Sequence, residues 1–188
     1  MSTAIFPVGH GAGPLVSADS THHVIRVGRT TEQLSESEFG VWTLAHRAMG
    51  LPDLLDQCLD AEIDDAERHV DVLLSRGVLV TADDPAGFAK QHRLLPLFLG
   101  LGNRPDVPDL FAIGVPGLEP LAIVGATTYE LWQWGWVAPS LWAHCEVLAT
   151  IAEQTEGEPG TPGAQLGLVL DGVSELLAGL VVALDPVS

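Results

Sequence analysis

Cations are scarce in this sequence, and they end early. Eight Lys and Arg residues stand against 25 Asp and Glu, which gives a formal net charge of −17 at neutral pH. After Arg104 the chain contains no Lys or Arg at all. Binding to the phosphates of nucleic acid or to an anionic membrane surface needs such side chains in number. The sequence therefore predicts neither a general nucleic-acid binder nor a protein of membrane surfaces.

Cysteine is rarer still, since Cys58 and Cys145 are the only two in 188 residues. Two cysteines are too few for a disulfide scaffold of this size, and the first residues lack the basic segment and apolar run of a secretory signal. We expect a reduced, cytoplasmic protein. The most apolar run, residues 166–184, contains Asp171 and Glu175. It predicts a buried helix followed by a strand, because carboxylates within a membrane span are costly.

Spacings typical of metal or nucleophile chemistry are absent as well. The sequence has no C-x-x-C, H-x-x-x-H or H-E-x-x-H motif, the patterns in which zinc ligands usually recur. The glycine-rich stretch 9–13 has no Gly-Lys-Ser/Thr after it, so it does not match a phosphate-binding loop. We predict no catalytic residue, no cofactor and no metal site, and therefore a protein that is not an enzyme.

What the chain does contain is a recognisable order of elements in its first half. Residues 1–20 lack periodicity and predict a mobile arm. Residues 21–85 predict two strands, three helices and a further strand, which is the order of a winged-helix lobe. The first of these helices begins at Ser35–Glu38, which matches the S-x-x-E capping box.

A similar order recurs about 87 to 102 residues later, according to four sequence blocks. Tyr129–Trp132, for example, is similar to Phe39–Trp42. We therefore predict an α+β, mainly helical fold of two winged-helix lobes related by internal duplication, with the second lobe over residues 110–188. Residues 86–109 predict an apolar connector that packs between the lobes. The alternative is one larger, mostly helical domain.

DNA binding by the first lobe is the alternative function. The third helix of a winged helix normally enters the major groove, yet here the region begins with Glu62, Asp64 and Asp65 among its first residues. That acidic start argues against DNA binding, so we do not expect nucleic acid as a partner. If the lobe does bind a duplex, the cations that we expect to make the contacts are Arg26, Arg29, Lys90 and Arg93.

Aromatic placement favours an interaction surface instead. Trp132, Trp134 and Trp136 lie two residues apart, and helical residues two apart are about 200° apart around the axis. The three side chains therefore cannot share one buried face, and at least one should reach the surface. Trp134 and Trp136 could each lie in a core or at an interface. The positive mean hydropathy, +0.28, also makes a homodimer plausible.

The segments that carry a family resemblance are the strand pair before Leu34, the helix start at 34–39, Trp42 and residues 74–79. With these, residues 22–82 resemble the peptide-recognition winged-helix domains of ribosomal-peptide maturation systems. The resemblance implies that a peptide adds as an extra strand against the sheet.

From this we expect a non-enzymatic protein- or peptide-binding adaptor. Its contact residues, by this expectation, are at the strand edge formed by Val24, Arg26 and Val27, or at Trp134 and Trp136.

Overall fold

The computed structural model describes residues 3–17, 21–156 and 160–187. It has an α+β fold with 45% helix, 29% strand and several small antiparallel sheets. The chain divides into two compact units. Unit 1 consists of the residues up to Asp83 together with Leu184–Pro186, and unit 2 consists of Asp84–Ala183 with Val187. The predicted α+β class is therefore confirmed.

Unit 1 contains two small antiparallel sheets. The first sheet is formed by β2 (His10–Val16), β3 (Thr21–Val27) and β4 (Thr30–Leu34), with β3 in the middle. The second pairs β1 (Ile5–Pro7) with β5 (Leu79–Thr81). The strand pair that the sequence predicts before Leu34 is β3 and β4, and it is confirmed.

The first helix of unit 1, α1 (Glu36–Leu44), begins where the sequence predicts, and α2 (Leu51–Asp60) follows it. The Ser35 hydroxyl accepts from the Glu38 amide at 3.3 Å, and the Glu38 carboxylate accepts from the Ser35 amide at 2.8 Å. The capping box is thus complete, and it satisfies amides that the first turn leaves without helical partners.

The third helix, α3 (Ala66–Ser75), begins four residues later than residue 62, where the acidic start is predicted. Glu62 and Asp65 both have positive φ angles, 56° and 53°. The left-handed region cannot continue a right-handed helix. The chain therefore turns twice before α3 starts, and the acidic residues belong mostly to that turn.

Unit 1 has one main hydrophobic core, formed between the sheet residues and the faces that α1, α2 and α3 turn inward. Each of these helices packs against the other two. Cys58 belongs to this core, as expected for a small apolar side chain on an inward helix face. The largest side chains that are fully buried there are Ile5, Ile25, Leu34, Leu54, Leu73 and Leu79.

The segment predicted as a mobile arm differs from that expectation in its described residues, 3–17. Ile5, Phe6 and Val8 are buried, and the Val8 amide donates to the Val78 carbonyl at 2.8 Å. The apolar run at residues 4–8 is short, and Gly and Pro residues follow it. The sequence therefore has no periodicity that would predict β1 and β2. Residues 1, 2 and 18–20 of the predicted arm lie outside the described part of the chain.

Unit 2 opens with α4 (Pro85–Gln91) and β6 (His92–Pro96). An antiparallel sheet follows, made of β7 (Leu99–Arg104), β8 (Val107–Gly114) and β9 (Ala122–Gly125), with β8 in the middle. Residues 86–109, predicted as a connector, therefore supply elements of unit 2 itself. Phe88 and Leu94 of this segment are buried, and its residues form a helix and strands where the sequence predicts a connector.

The rest of unit 2 is mainly helical. It contains α5 (Ala126–Trp134), a one-turn 3-10 helix (Gly135–Val137), α6 (Leu141–Glu156) and α7 (Pro162–Ala178). Helix α7 packs against both α5 and α6. The last strand is β10 (Val182–Pro186), so the apolar run 166–184 is a helix followed by a strand, as predicted. None of the helices in the described ranges has the length and apolar character needed to cross a bilayer.

The end of β10 belongs to unit 1. The Gly9 amide donates to the Leu184 carbonyl at 2.7 Å, and the Gly28 amide donates to the Asp185 carboxylate at 2.6 Å. Leu184–Pro186, which the sequence places in the predicted lobe over 110–188, therefore belong to unit 1. The order of elements along the sequence does not show that the end of the last strand belongs to the first unit.

Candidate functional site

The strand edge predicted to bind a partner is not free. Residues 24–27 lie in β3, the central strand of its sheet. Val24 is opposite Gly13 on one side and opposite Gln33 on the other. Strand addition needs unpaired amides and carbonyls at a sheet edge. The prediction of an edge at Val24, Arg26 and Val27 is therefore wrong, because the unforeseen β2 covers it.

The cations proposed for DNA contact lie in both units. Arg26 and Arg29 are exposed on either side of the start of the β3–β4 turn in unit 1. In unit 2, Lys90 lies in α4 with its ammonium 4.7 Å from the centre of the Trp142 ring. Arg93 lies in β6. The structure thus places two cations at one turn and two close together along the chain.

The cation that follows α3 is already occupied by carboxylates. The Arg76 guanidinium donates to Glu32 through two of its nitrogens, at 3.0 and 2.8 Å, and lies 3.6 Å from Glu38. It also donates to the Gln33 carbonyl at 2.8 Å. A guanidinium held this way has little charge left for phosphate, so the third helix gains no positive surface from it.

The three closely spaced tryptophans have different environments. Trp134 is 58% exposed and Trp136 is 52% exposed, while Trp132 is half-buried beside Tyr129, with ring centres 5.2 Å apart. The prediction that they cannot share one buried face is confirmed. Helix α5 ends at Trp134, and Trp136 lies in the 3-10 turn that follows. The backbone conformation at Trp136 therefore differs from that of the helix.

An apolar groove runs along the helical side of unit 2 and includes Trp134. Its volume is about 880 Å³, and α5, the 3-10 turn, α6 and α7 all contribute to its lining. Cavities of this size fall within the usual range of ligand sites, about 300–1,000 Å³. The apolar side chains that matter most for its character are Leu131, Trp134, Val137, Val147, Ile151 and Leu168.

Most of these apolar side chains are open to solvent. The exposed fraction is 63% for Val137, 52% for Val147, 49% for Ile151 and 51% for Leu168. Single exposed apolar residues are ordinary, but a contiguous group of them on one surface usually marks an interaction site. The groove is therefore the best candidate site in the described part of the chain.

A glycine on α7 sets one side of this groove. A Cβ atom at Gly172 would lie 2.8 Å from the Leu131 side chain of α5, which is closer than carbon atoms pack. Glycine therefore lets α5 approach α7 closely. Helix α6 also packs on α7. The groove is lined by α5 and α6 together with α7.

The charged side chains that line the groove are both carboxylates, Glu130 and Glu146. Glu146 accepts from the Trp142 indole at 2.9 Å. Of the described lining residues none is Lys or Arg. His144 also lines the groove, and desolvation by burial lowers the pKa of its imidazole. A neutral histidine adds no positive charge, so the electrostatic character of the groove is negative.

Trp136 belongs to a second, smaller hollow. This hollow has a volume of about 410 Å³, and its lining includes Phe98, Leu99 and Trp132. The two tryptophans predicted to act together therefore line different surfaces of unit 2. They are separated because α5 ends at Trp134 and a 3-10 turn follows. The sequence does not predict this change.

Both cysteines are poor nucleophiles in this structure. Cys58 and Cys145 are buried and unpaired as free thiols. Desolvation raises the pKa of Cys58 and raises that of Cys145 to about 11, so both remain protonated at neutral pH. Within the described ranges, no group of three or more His, Cys, Asp and Glu side chains is arranged to hold a metal ion.

Sequence reasoning missed the residues of α6 that line the groove. His144, Val147 and Ile151 follow each other at spacings of three and four, which is the pattern of one helix face. A second apolar face of the same helix, with Leu141 and Cys145, is buried. Two apolar faces on one helix were the available signal, since a single core needs only one.

No family model, no curated protein and no solved structure matches this chain.

Proposed function

We propose that this chain is a non-enzymatic adaptor that binds a protein or peptide partner in the groove of unit 2. The exposed apolar groove between α5, α6 and α7 is the observation that carries this proposal. A surface of this kind gains free energy when a partner removes it from water. The lining is mostly apolar, with Glu130, Glu146 and His144 among its polar side chains, and binding is the function that such a surface supports best.

We also propose that the two units are winged-helix lobes that arose by duplication. In support, a three-stranded antiparallel sheet is followed by three helices and a strand in both halves of the chain. These are β2–β4 with α1–α3 and β5, and β7–β9 with α5–α7 and β10. Each set is preceded by a further strand, β1 or β6. The resemblance of residues 22–82 to peptide-recognition domains points in the same direction.

The charge distribution favours a protein partner over a nucleic-acid duplex. The net charge is −17, and Arg76, at the end of α3, is held by Glu32 and Glu38. A duplex would meet carboxylates where a DNA-binding winged helix presents cations. A basic or neutral protein segment meets no such repulsion.

Selection from a displayed library of random peptides tests the proposal. The full-length chain is immobilised, and the dissociation constants of enriched peptides are measured for wild type and for Val147→Glu. We expect Val147→Glu to weaken the affinity for the enriched peptides by about tenfold or more, because the substitution places a charge in the apolar groove. The matched control is Leu59→Glu, since Leu59 is also an exposed apolar residue on a helix, at 76% exposure, and lies outside the groove.

Two results would overturn the adaptor function. One is a selection that enriches no peptide whose affinity depends on Val147. The other is tight binding to duplex DNA in a mobility-shift assay at about 50 mM salt, weakening steeply as salt rises. The second result would favour the alternative, a winged-helix transcription regulator that uses Arg26 and Arg29.

A further inference from the structure

The groove extends along helix α6. Its α6 side is lined by residues from Ala143 to Thr155, a stretch of about 18 Å at 1.5 Å per residue. Along that stretch, His144, Val147 and Ile151 form a stripe, and Trp134 and Leu168 contribute from α5 and α7. The groove therefore offers several apolar contacts in a row, which suits an elongated occupant.

The walls of the groove favour a helix over an extended segment. They are formed mainly by side chains of three helices, whose amides and carbonyls bond within each helix. An extended peptide would leave its own amides and carbonyls against apolar side chains without partners, which is unfavourable. A helix satisfies these groups internally and presents only side chains to the groove.

Charge identifies the flanks of the occupant. Glu130 and Glu146 are the charged lining residues, and both are exposed. Asp171 and Glu153 lie exposed on the neighbouring turns of α7 and α6. Acidic side chains beside an apolar groove attract Lys and Arg on a partner and repel Asp and Glu.

We propose that the groove of unit 2 binds an amphipathic helix of about three turns, with apolar residues toward Val147, Ile151 and Trp134 and with Lys or Arg along its flanks. This inference rests on the proposed adaptor function and specifies its partner. A second copy of this chain is disfavoured as the occupant, because two chains with a net charge of −17 each repel one another.

Three synthetic peptides of matched length test this inference in a fluorescence anisotropy titration. The first contains Leu and Lys with helical periodicity, the second has the same composition in strict alternation, and the third has helical periodicity with Glu in place of Lys. We expect the first to bind, and the other two to bind about tenfold more weakly or not at all. Its affinity should fall as salt rises, because exposed charges are screened.

Variants of the full-length chain separate groove binding from general attraction to an acidic protein. Val147→Glu makes the chain more negative, yet it should weaken the helical Leu–Lys peptide about tenfold or more. Ile151→Glu, one turn further along the stripe, repeats the test independently. Glu130→Gln combined with Glu146→Gln should weaken binding by about two- to fivefold and reduce its salt dependence. Leu59→Glu should leave the affinity unchanged.

The outcomes distinguish this inference from the adaptor function. If the alternating peptide binds as tightly as the helical one, and its binding is weakened by Val147→Glu, then the proposal of a helical partner is wrong and the adaptor function stands. If the Glu peptide binds equally well, the basic flank is wrong. If binding of all three ignores Val147, the inference fails, and the library selection decides the function separately. A dimer in sedimentation velocity that Val147→Glu dissociates would make a second copy the occupant and overturn the inference.

Discussion

Trp42 joins the first helix of unit 1 to the beginning of the chain. Its indole donates to the Val8 carbonyl at 3.2 Å in a buried position. Phe39 stacks on one side, with ring centres 5.8 Å apart, and His46 contacts it edge-on at 4.5 Å. One side chain therefore provides both apolar contact and a hydrogen bond across 34 residues of sequence.

Replacement of Trp42 by Phe keeps an aromatic ring but removes the indole donor. The Val8 carbonyl then lacks this partner in a buried site, so we expect the free energy of unfolding to fall by about 1–3 kcal/mol. Urea denaturation followed by circular dichroism measures the change. Trp142→Phe is the control, because the Trp142 indole bonds to Glu146 at an exposed position, and a loss of similar size there would contradict this explanation.

His46 makes the stability of unit 1 depend on pH. Its Nδ1 lies 3.0 Å from the Trp42 carbonyl, and a carbonyl only accepts, so Nδ1 carries the hydrogen. Burial lowers the pKa of His46 from its ordinary value of 6.5. The stability that the neutral ring contributes is fully present above pH 6.5 and is lost as the pH falls through the lower pKa of the folded state. His144 acts in the same direction.

We therefore expect the Tm to fall as the pH is lowered from about 7.5 to about 5. The Tm of His46→Gln should fall less steeply with pH, whatever its value at neutral pH, because the variant lacks one buried group that becomes protonated as the pH is lowered. Thermal denaturation at a series of pH values measures the slope. His69→Gln, on the partly exposed face of α3, controls for the loss of a histidine. An identical slope for His46→Gln and wild type would show that this ring does not contribute.

At the scale of elements, the start of α1 depends on its capping box. Ser35→Ala removes the acceptor for the Glu38 amide, so we expect a loss of about 1 kcal/mol in the free energy of unfolding. Chemical denaturation measures it. Ser174→Ala, on an exposed position of α7 where the hydroxyl donates to the Leu170 carbonyl, should change stability by less than about 0.5 kcal/mol. Equal effects at both positions would argue against the cap.

Helices with a start signal of their own were predictable from the sequence. The Ser35 capping box marks the start of α1, and the order of elements predicted for residues 21–85 contains the three helices of unit 1. The onset of α3 was placed too early, because the left-handed residues Glu62 and Asp65 have no sequence signature. Backbone conformation at single turn residues depends on the packing around them, and propensity alone does not specify it.

Strands without a pattern, and surfaces between helices, were not predictable in the same way. Strand β2 contains Gly11, Gly13 and Pro14, residues that usually indicate turns, and missing it led to the wrong sheet edge at Val24. The groove was missed because Val147 and Ile151 have the composition of core residues. Whether an apolar helix face is covered depends on the distance between helices, and the sequence does not state that distance.

At the scale of the whole molecule, unit 1 depends on the far end of the chain. Leu184–Pro186 belong to unit 1, and hydrogen bonds join Leu184 to Gly9 and Asp185 to Gly28. Asp185 is buried at 4% exposure. A segment of three residues thus completes a unit whose other residues all precede Asp84 among the described positions.

Deletion of residues 184–188 should therefore destabilise unit 1. Two hydrogen bonds within unit 1 are lost, and within unit 2 the bond from the Val187 amide to the Gln91 carbonyl is lost as well, so we expect the free energy of unfolding to fall by about 2 kcal/mol or more. Hydrogen exchange measures it: amides of β3 and β4 should exchange faster, while those of α5 and α7 keep their protection. Asp185→Ala should reproduce part of the effect, and Asp185→Asn, which retains an acceptor oxygen, less of it. Faster exchange only in unit 2 would contradict this assignment.

The return of β10 also sets the order of events on the ribosome. The Gly28 amide and the Asp185 carboxylate are 157 positions apart, and translation at about 5–20 residues per second separates them by about 8 to 30 s. Throughout that interval, Gly9 and Gly28 lack the Leu184 carbonyl and the Asp185 carboxylate as hydrogen-bond partners. Unit 1, although its first residues are made first, is therefore completed only after most of unit 2 has been translated.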